Sequence, residues 1–319
     1  MPKRILLTGT LAIDYVGEYP GTFSRLPKHD GINLSVQLAR IERRFGGCAM
    51  NIAYTLKALG EAPTPFVFVG LDFDQDYARH LDAHRIDVSG VNLVEAPYSS
   101  HGFIFTDREQ NQFTGFFGGP AAHHDLAPPL RRFVRDRHAG CRRFDFALLA
   151  PDIPTNMIAA AKAMREAGIP FLTDPGQNLT DFDASGAREL VTLSHAIVVN
   201  EYEHDTLRDL TGEAVDELDL LMVTEGERGA RWVSRTGESG RERAAPASVV
   251  DSTGCGDAFR AGYLHASLRG ADTRSAVRAG GVTAALALET RGTQNHDCRD
   301  FAARYRAAWG DDPPWQESE

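Results

Sequence analysis

Apolar positions fall in short blocks along this chain, and the spacing of those blocks changes from one region to the next. Residues 4–9 predict a buried first strand, followed by the turn 10–14 with Asp14 as its acid. Similar runs at 66–69, 144–149, 170–173, 196–199 and 220–223 alternate with helix-period stretches at 76–84, 156–167 and 187–193. Strands and helices in alternation predict an α/β fold with a mostly parallel, doubly wound sheet flanked by helices.

Two regions break that rhythm. From Tyr15 to Arg44 the helical period is lost, although Leu34, Val36 and Leu38 alternate with Ser35, Gln37 and Ala39 and predict a short strand over 34–39. Residues 101–106 and 112–117 flank the polar turn 107–111 and predict a hairpin. The segments 15–44 and 97–120 are expected to form a small β-sheet lid over a site, inserted in a single domain spanning 1–319. The basic stretch 121–143 is partly helical and predicts a solvated face.

Glycines mark two expected helix starts. Val249 and Val250 predict the end of a strand, a helix is expected over 258–268, and Gly270 stops it. Between strand and helix lies Asp251-Ser252-Thr253-Gly254-Cys255-Gly256-Asp257. Backbone N–H groups at such a helix start have no carbonyl inside the helix to meet, and the helix end adds about half a positive charge, so the loop predicts an anion site. Asp257 at its mouth either caps the helix or accepts a proton from a hydroxyl that attacks a phosphoryl group. Gly46 and Gly47 precede a second helix carrying Ile52, Leu56 and Leu59 on one face, where glycine suits either close packing or an oxygen ligand. Asn51 offers a donor and an acceptor to a diol.

The order Asp-x-x-Gly-x-Gly-Asp-x-Phe-x-x-Gly, from Asp251 to Gly262, resembles the C-terminal signature of the ribokinase-like (PfkB) family of carbohydrate and nucleoside kinases, with cysteine at 255 where alanine is usual. The resemblance implies a ribokinase-like fold in which Asp257 is the catalytic base and the N–H groups of Gly254, Cys255 and Gly256 stabilise the transferring phosphoryl group. It implies that Asp14, Gly46, Gly47 and Asn51 hold the hydroxyls of a sugar. Asn200-Glu201-Tyr202-Glu203 looks like the family's Asn-x-x-Glu motif, in which Glu203 helps to hold Mg²⁺ through water. Thr224, Gly226 and Gly229 resemble the loop that brackets the phosphates of ATP. In relatives the turn 290–295 lines the adenine pocket, and Asp251 with Thr253 can hold a monovalent cation such as K⁺. Asp152 and Asp174 follow expected strands at the sheet end where α/β folds keep their ligands. Asp152 and Gln112 complete the expected substrate-binding set.

Substrate identity turns on the lid. Residues 44–54, Asn111-Gln112 and 173–177 resemble prokaryotic adenosine and nucleoside kinases more than sugar kinases. Phe103, Phe105, Phe113, Phe116 and Phe117 can supply a flat apolar partner to a purine, or serve as lid core or as the contact of a homodimer through the lid. The expected reaction is ATP plus adenosine giving ADP and AMP. A kinase of ribose or fructose and a non-catalytic nucleoside sensor are the alternatives.

Charge and composition narrow the partners. Lys+Arg 34 against Asp+Glu 44 gives a net charge of −10, which disfavours nucleic acid or an anionic membrane. No apolar stretch approaches the roughly 18–20 residues that span a bilayer, and the start is too short in its apolar run for a signal peptide. Cys48, Cys141, Cys255 and Cys298 are scattered, which fits a reducing, cytoplasmic setting. Only Gly9 stands after the first strand, where a dinucleotide-binding fold would place three glycines, so a dehydrogenase is disfavoured.

Overall fold

Each apolar run at the heart of the chain is too short to bury itself, and the runs solve this by pairing side by side. The computed structural model describes residues 1–26, 34–109 and 111–315. In chain order its elements are β1 (Arg4–Thr8), β2 (Ala12–Glu18), β3 (Arg40–Gly46), α1 (Cys48–Ala58), β4 (Ala62–Val69), α2 (Gln75–Ala83), β5 (Val91–Leu93), β6 (Ser100–Thr106), β7 (Gln112–Phe117), α3 (Ala127–Ala139) and β8 (Phe146–Leu149). There follow α4 (Pro154–Ala167), β9 (Phe171–Thr173), α5 (Ala184–Leu193), β10 (Ala196–Asn200), α6 (Glu201–Thr211), β11 (Leu220–Thr224), β12 (Ala230–Ser234), β13 (Ser239–Glu242), α7 (Cys255–Ser267), α8 (Thr273–Leu288) and α9 (Phe301–Trp309).

Among the described residues the main sheet has nine strands in the order β13-β12-β11-β10-β9-β8-β1-β4-β5. All neighbours from β11 to β5 are parallel, and β12 and β13 add an antiparallel edge. From the adjacent pair β1 and β8 the chain winds outward in opposite directions, which opens a crevice at the carboxyl ends of the strands. Strand alternation feeds two cores: Ile5 and Leu7 pack with α1, α7, α8 and α9 on one face, and Leu6 packs with α3, α4 and α5 on the other.

A separate sheet, ordered β3-β2-β6-β7, forms the lid. Its strands are not where the alternation of Leu34, Val36 and Leu38 put one. Residues 34–39 form no strand, and Leu34 and Val36 are exposed, because both edges of β2 are taken, by β3 (Arg40–Gly46) and by β6. Asp14 therefore stands on a strand rather than in a turn. Residues 27–33 of this segment and Gln110 of the hairpin turn lie outside the described residues. Val249 and Val250 also belong to no strand; both are exposed, and the N–H of Val250 donates to Leu288 at the end of α8, so the loop before α7 is hung from a helix rather than from the sheet. The basic stretch contains α3, which buries Leu130 and Val134 and so has a packed face as well as a solvated one.

The lid joins the core through Gly47, with φ +91 and the site of its absent Cβ only 2.4 Å from the Thr10 carbonyl oxygen and 2.6 Å from the Ala12 nitrogen. Gly60 has a similar φ of +88 with nothing within 4 Å of that point. Gly60→Ala should therefore cost about 1–2 kcal/mol, the strain of a left-handed backbone alone. Gly47→Ala adds a collision with fixed backbone and should cost at least about 2 kcal/mol more in urea unfolding. Equal costs for the two would disprove the close approach.

Candidate active site

Three helix starts and five strand ends converge under the lid. They enclose a cavity of about 470 Å³ lined by Asp14, Gly47, Asn51, Asn200, Glu203, Thr224, Gly226, Thr253, Gly254, Gly256 and Asp257, all expected site residues. Asp174, Arg260, Cys48 and Phe116 complete its chemistry.

Asp257 sits in the first turn of α7, whose N-cap Gly254 has a left-handed φ of 77. Its Oδ2 accepts from Asn51 Nδ2 at 2.8 Å, bringing α1 and α7 together across 206 residues of sequence. Burial pushes the Asp257 carboxyl above its ordinary range, while the Asn51 hydrogen bond and the Arg260 guanidinium pull against that. Arg260 is buried with it and donates from Nη2 to Asp174 Oδ1 at 2.8 Å, its Nε lying against the other carboxylate oxygen. Even so, burial pushes Asp174 up to about 7.

Asp14 faces Asp257 from the lid. Register puts Asp14 opposite Gly102 on β6, and the carboxyl fills the space that a side chain at Gly46 or Gly102 would take, with hypothetical Cβ distances of 2.0 and 2.4 Å to its oxygens. Burial raises its pKa to about 6, with Arg44 opposing and Asp257 adding to the shift. Gly46 thus serves Asp14 as packing room and does not itself line the cavity.

Asn200 and Glu203 form a capping box on α6: Asn200 Oδ1 accepts from the Glu203 N–H, and Glu203 Oε2 accepts from the Asn200 N–H, both at 2.8 Å. Glu203 Oε1 makes no hydrogen bond among the described residues. Beyond Thr224, Gly226 and Gly256 opens a second cavity of about 710 Å³, walled by Gly229, Ala245, Phe259, Val277 and Leu288. The loop at Gly226 is also the turn of the β11–β12 hairpin, with the Glu225 N–H donating to the Gly229 carbonyl at 2.7 Å.

Residues 4–299 match the family described as pfkB family carbohydrate kinase. The chain belongs to that family. A nucleoside kinase of Methanocaldococcus jannaschii is 28% identical over 299 residues, covering 92% of this chain and 93% of its own length. An ATP-dependent ribose-1-phosphate kinase of Halopiger xanaduensis is 27% identical over 293 residues, 88% of this chain and 92% of its own. Among solved structures, the Burkholderia thailandensis nucleoside kinase in complex with inosine superposes with a TM-score of 0.84 at 32% identity, over 97% of this chain and 99% of that one. The pfkB membership and these relatives make the chain an ATP-dependent kinase that acts on a hydroxyl group.

Some expected residues of this pfkB chain stand elsewhere. Asp152 does not line the cavity: its carboxyl accepts from the Ile153 N–H at 2.7 Å and from Asn156 Nδ2 at 3.3 Å, holding the start of α4. Gln112 shares the lid face of Asp14 but lines an adjoining cavity with Arg44 and Asp251. Asp251 accepts from Arg44 Nη1 at 2.6 Å and from the N–H groups of Thr253 and Gly292. A cation at the Asp251 and Thr253 side chains would sit against that guanidinium, so the arrangement does not fit K⁺ there. The Cys255 N–H is 3.4 Å from the Ser252 carbonyl, and burial pushes its thiol up to about 11, which makes it a packing group. Residues 290–295 do not wall the second cavity; they turn to the other side of α7 and place Gln294 against Asn51.

Among the described residues no group of three His, Cys, Asp or Glu side chains could hold a metal ion as a cage. The donor set fits Mg²⁺ of the kind bound largely by water and phosphate oxygens, which Glu203 Oε1 would hold through water. No described helix is long and apolar enough to cross a membrane.

Sequence reasoning missed Arg260, although its spacing of three from Asp257 on a helix puts the two on one face. Replacing it with methionine strands the buried Asp174, so Arg260→Met should lose about 3–5 kcal/mol in denaturant unfolding at alkaline pH, where the carboxylate is ionised. Arg260 holds the folded-state Asp174 pKa down to about 7, and without the guanidinium it rises further, so the deficit should shrink as the pH falls toward 7 and level off below it. A deficit that grew on acidification would disprove the pairing.

Proposed function

We propose that the chain is an ATP-dependent nucleoside kinase that phosphorylates the ribose 5′-hydroxyl, with adenosine as its preferred substrate. The observation that carries the reading is the shared border of the two cavities: Asp257 faces the lid-covered one, and Thr224, Gly226 and Gly256 separate it from a larger apolar one suited to ATP. Asp14 accepts hydrogen bonds from the sugar diol, and Asn51 contributes a donor beside Asp257. Asp257 accepts the 5′-hydroxyl proton, and the N–H groups at the start of α7 meet the charge of the transferring group. Mg²⁺ neutralises phosphate charge when bound, with Glu203 orienting it.

Phe116 is the lid phenylalanine that lines the substrate cavity, so it is the aromatic face proposed to stack on the base. Likeness to a nucleoside kinase seen with inosine supports a purine there. A silent sensor would have no use for a buried, donor-supported carboxylate in Asp257.

Two measurements test this. ADP release with adenosine, inosine, guanosine, cytidine, ribose and fructose offered separately should give adenosine the largest kcat/KM, and Phe116→Ala should raise the KM for adenosine about 10-fold, as expected for loss of one base stack, while leaving ribose unaffected. A ribose or fructose preference sinks the purine reading and leaves the kinase. Asp257→Asn should lower kcat by about 10²–10⁴-fold with ATP binding intact by calorimetry. A base must be ionised to act, so wild-type kcat/KM should fall as pH drops through an Asp257 pKa above the ordinary 3.8. Near-normal turnover by Asp257→Asn would remove it as the base.

A further inference from the structure

A file of side-chain hydrogen bonds runs from the ring of His80 to Asp257. His80 Nε2 lies 3.0 Å from Gln294 Oε1. Gln294 Nε2 lies 3.0 Å from Asn51 Oδ1 and 3.1 Å from the Tyr77 hydroxyl. Asn51 Nδ2 lies 2.8 Å from Asp257 Oδ2. Each amide could in principle be turned over, exchanging donor for acceptor, so the direction of the file needs an anchor.

Tyr77 is that anchor. Its hydroxyl is 2.8 Å from the Gly46 carbonyl, a group that can only accept, so the phenol proton is committed there. The phenol oxygen can then only accept, and what it accepts from is Gln294. Gln294 must turn its NH₂ toward Tyr77 and Asn51 and its carbonyl toward His80, which donates from Nε2. Asn51 must in turn offer Oδ1 to Gln294, which leaves its NH₂ for Asp257. Both the neutral Nε2–H form of His80 and its imidazolium donate, so titration of His80 does not reverse the file.

We infer that Gln294, anchored by Tyr77 on the Gly46 carbonyl, is a positioning residue that keeps the donor side of Asn51 on the Asp257 carboxylate. Were the Asn51 amide turned over, its carbonyl would face the carboxylate, favour the protonated acid and silence the base. The inference rests on the reading of Asp257 as base. The other groups facing Asp257, namely Cys48, Arg260, Glu203, Asp14 and Asp174, come from other positions and are left in place by changes at Gln294.

Gln294→Glu provides the test, because an ionised glutamate accepts from Asn51 and so turns the amide over, whereas Gln294→Leu merely releases it. The acid limb of kcat/KM should move to higher pH by about one unit in Gln294→Glu, the size expected for losing a hydrogen bond to a carboxylate, and by less in Gln294→Leu. The kcat at mildly acidic pH should fall about 10-fold in Gln294→Glu, with the nucleoside KM changed less than about 3-fold. Tyr77→Phe removes only the anchoring hydroxyl and should shift the limb in the same direction; it serves also if a Gln294 variant fails to fold. Equal losses in Gln294→Glu and Gln294→Leu with an unmoved acid limb, or an unmoved limb in Tyr77→Phe, would overturn the inference. Activity retained by Asp257→Asn would instead overturn the base assignment beneath it.

Discussion

The crowding of like charge under the lid is the constraint the site depends on. Asp14, Asp174, Glu203 and Asp257 line one cavity of about 470 Å³, and Arg260 is the one Lys or Arg side chain among its lining residues. Water cannot screen charges packed at this density as it would at a surface, so each acid has its own remedy. Asp174 takes the guanidinium fork, Glu203 caps a helix, Asp257 takes an amide donor, and Asp14 keeps a raised affinity for its proton. Removing one remedy loads the others, which is why residues from α1, β2, β9, α6 and α7 behave as one unit.

On the proposed function the same cavity has to receive phosphate groups in a chain whose net charge is −10. Side chains supply little of the positive charge. The starts of α1, α6 and α7, marked by Gly47, Asn200 and Gly254, all line the cavity, and each brings unsatisfied N–H groups with about half a positive charge. Backbone charge of this kind is fixed in place, needs no side-chain ordering, and leaves room for a ligand to lie against glycine.

Much of this was legible in the sequence, and the failures share a cause. The parallel strands and the helices flanking them follow from local spacing, as does the hairpin at 101–117. Local spacing also marked the glycine starts of α1 and α7. It failed where pairing is settled at long range: Asp14 is on a strand because β3 and β6 pair with it, and residues 34–39 lack a strand because those partners are taken. Asp152 read as a ligand at a strand end, yet its carboxyl is taken by the Ile153 N–H and the Asn156 amide at the start of α4. The five lid phenylalanines gave no hint of which one matters until register was known. Phe116 pairs with Gly102 and so shares the face of Asp14, while Phe103, Phe105, Phe113 and Phe117 alternate to the other face, where Phe103 stacks on Tyr15. Gln294 carried no local signal at all, since its meaning lies in contacts with Asn51, Tyr77 and His80, all more than 200 positions away.

The border between the two cavities explains why glycine recurs where a phosphate site would otherwise call for charged side chains. Thr224, Gly226 and Gly256 belong to both cavities. Gly226 has φ +58, which a side chain would strain, and a Cβ at Gly256 would stand 2.7 Å from Arg260 Nη1. On the proposed function two ligands that exchange a group must come within bonding distance at that line, and a side chain there would hold them apart or compete for the charge in passage. A border of backbone lets the group cross while N–H donors stay fixed on either side of it, and Arg260, held back by Asp174, stays within the wall instead of reaching into the path.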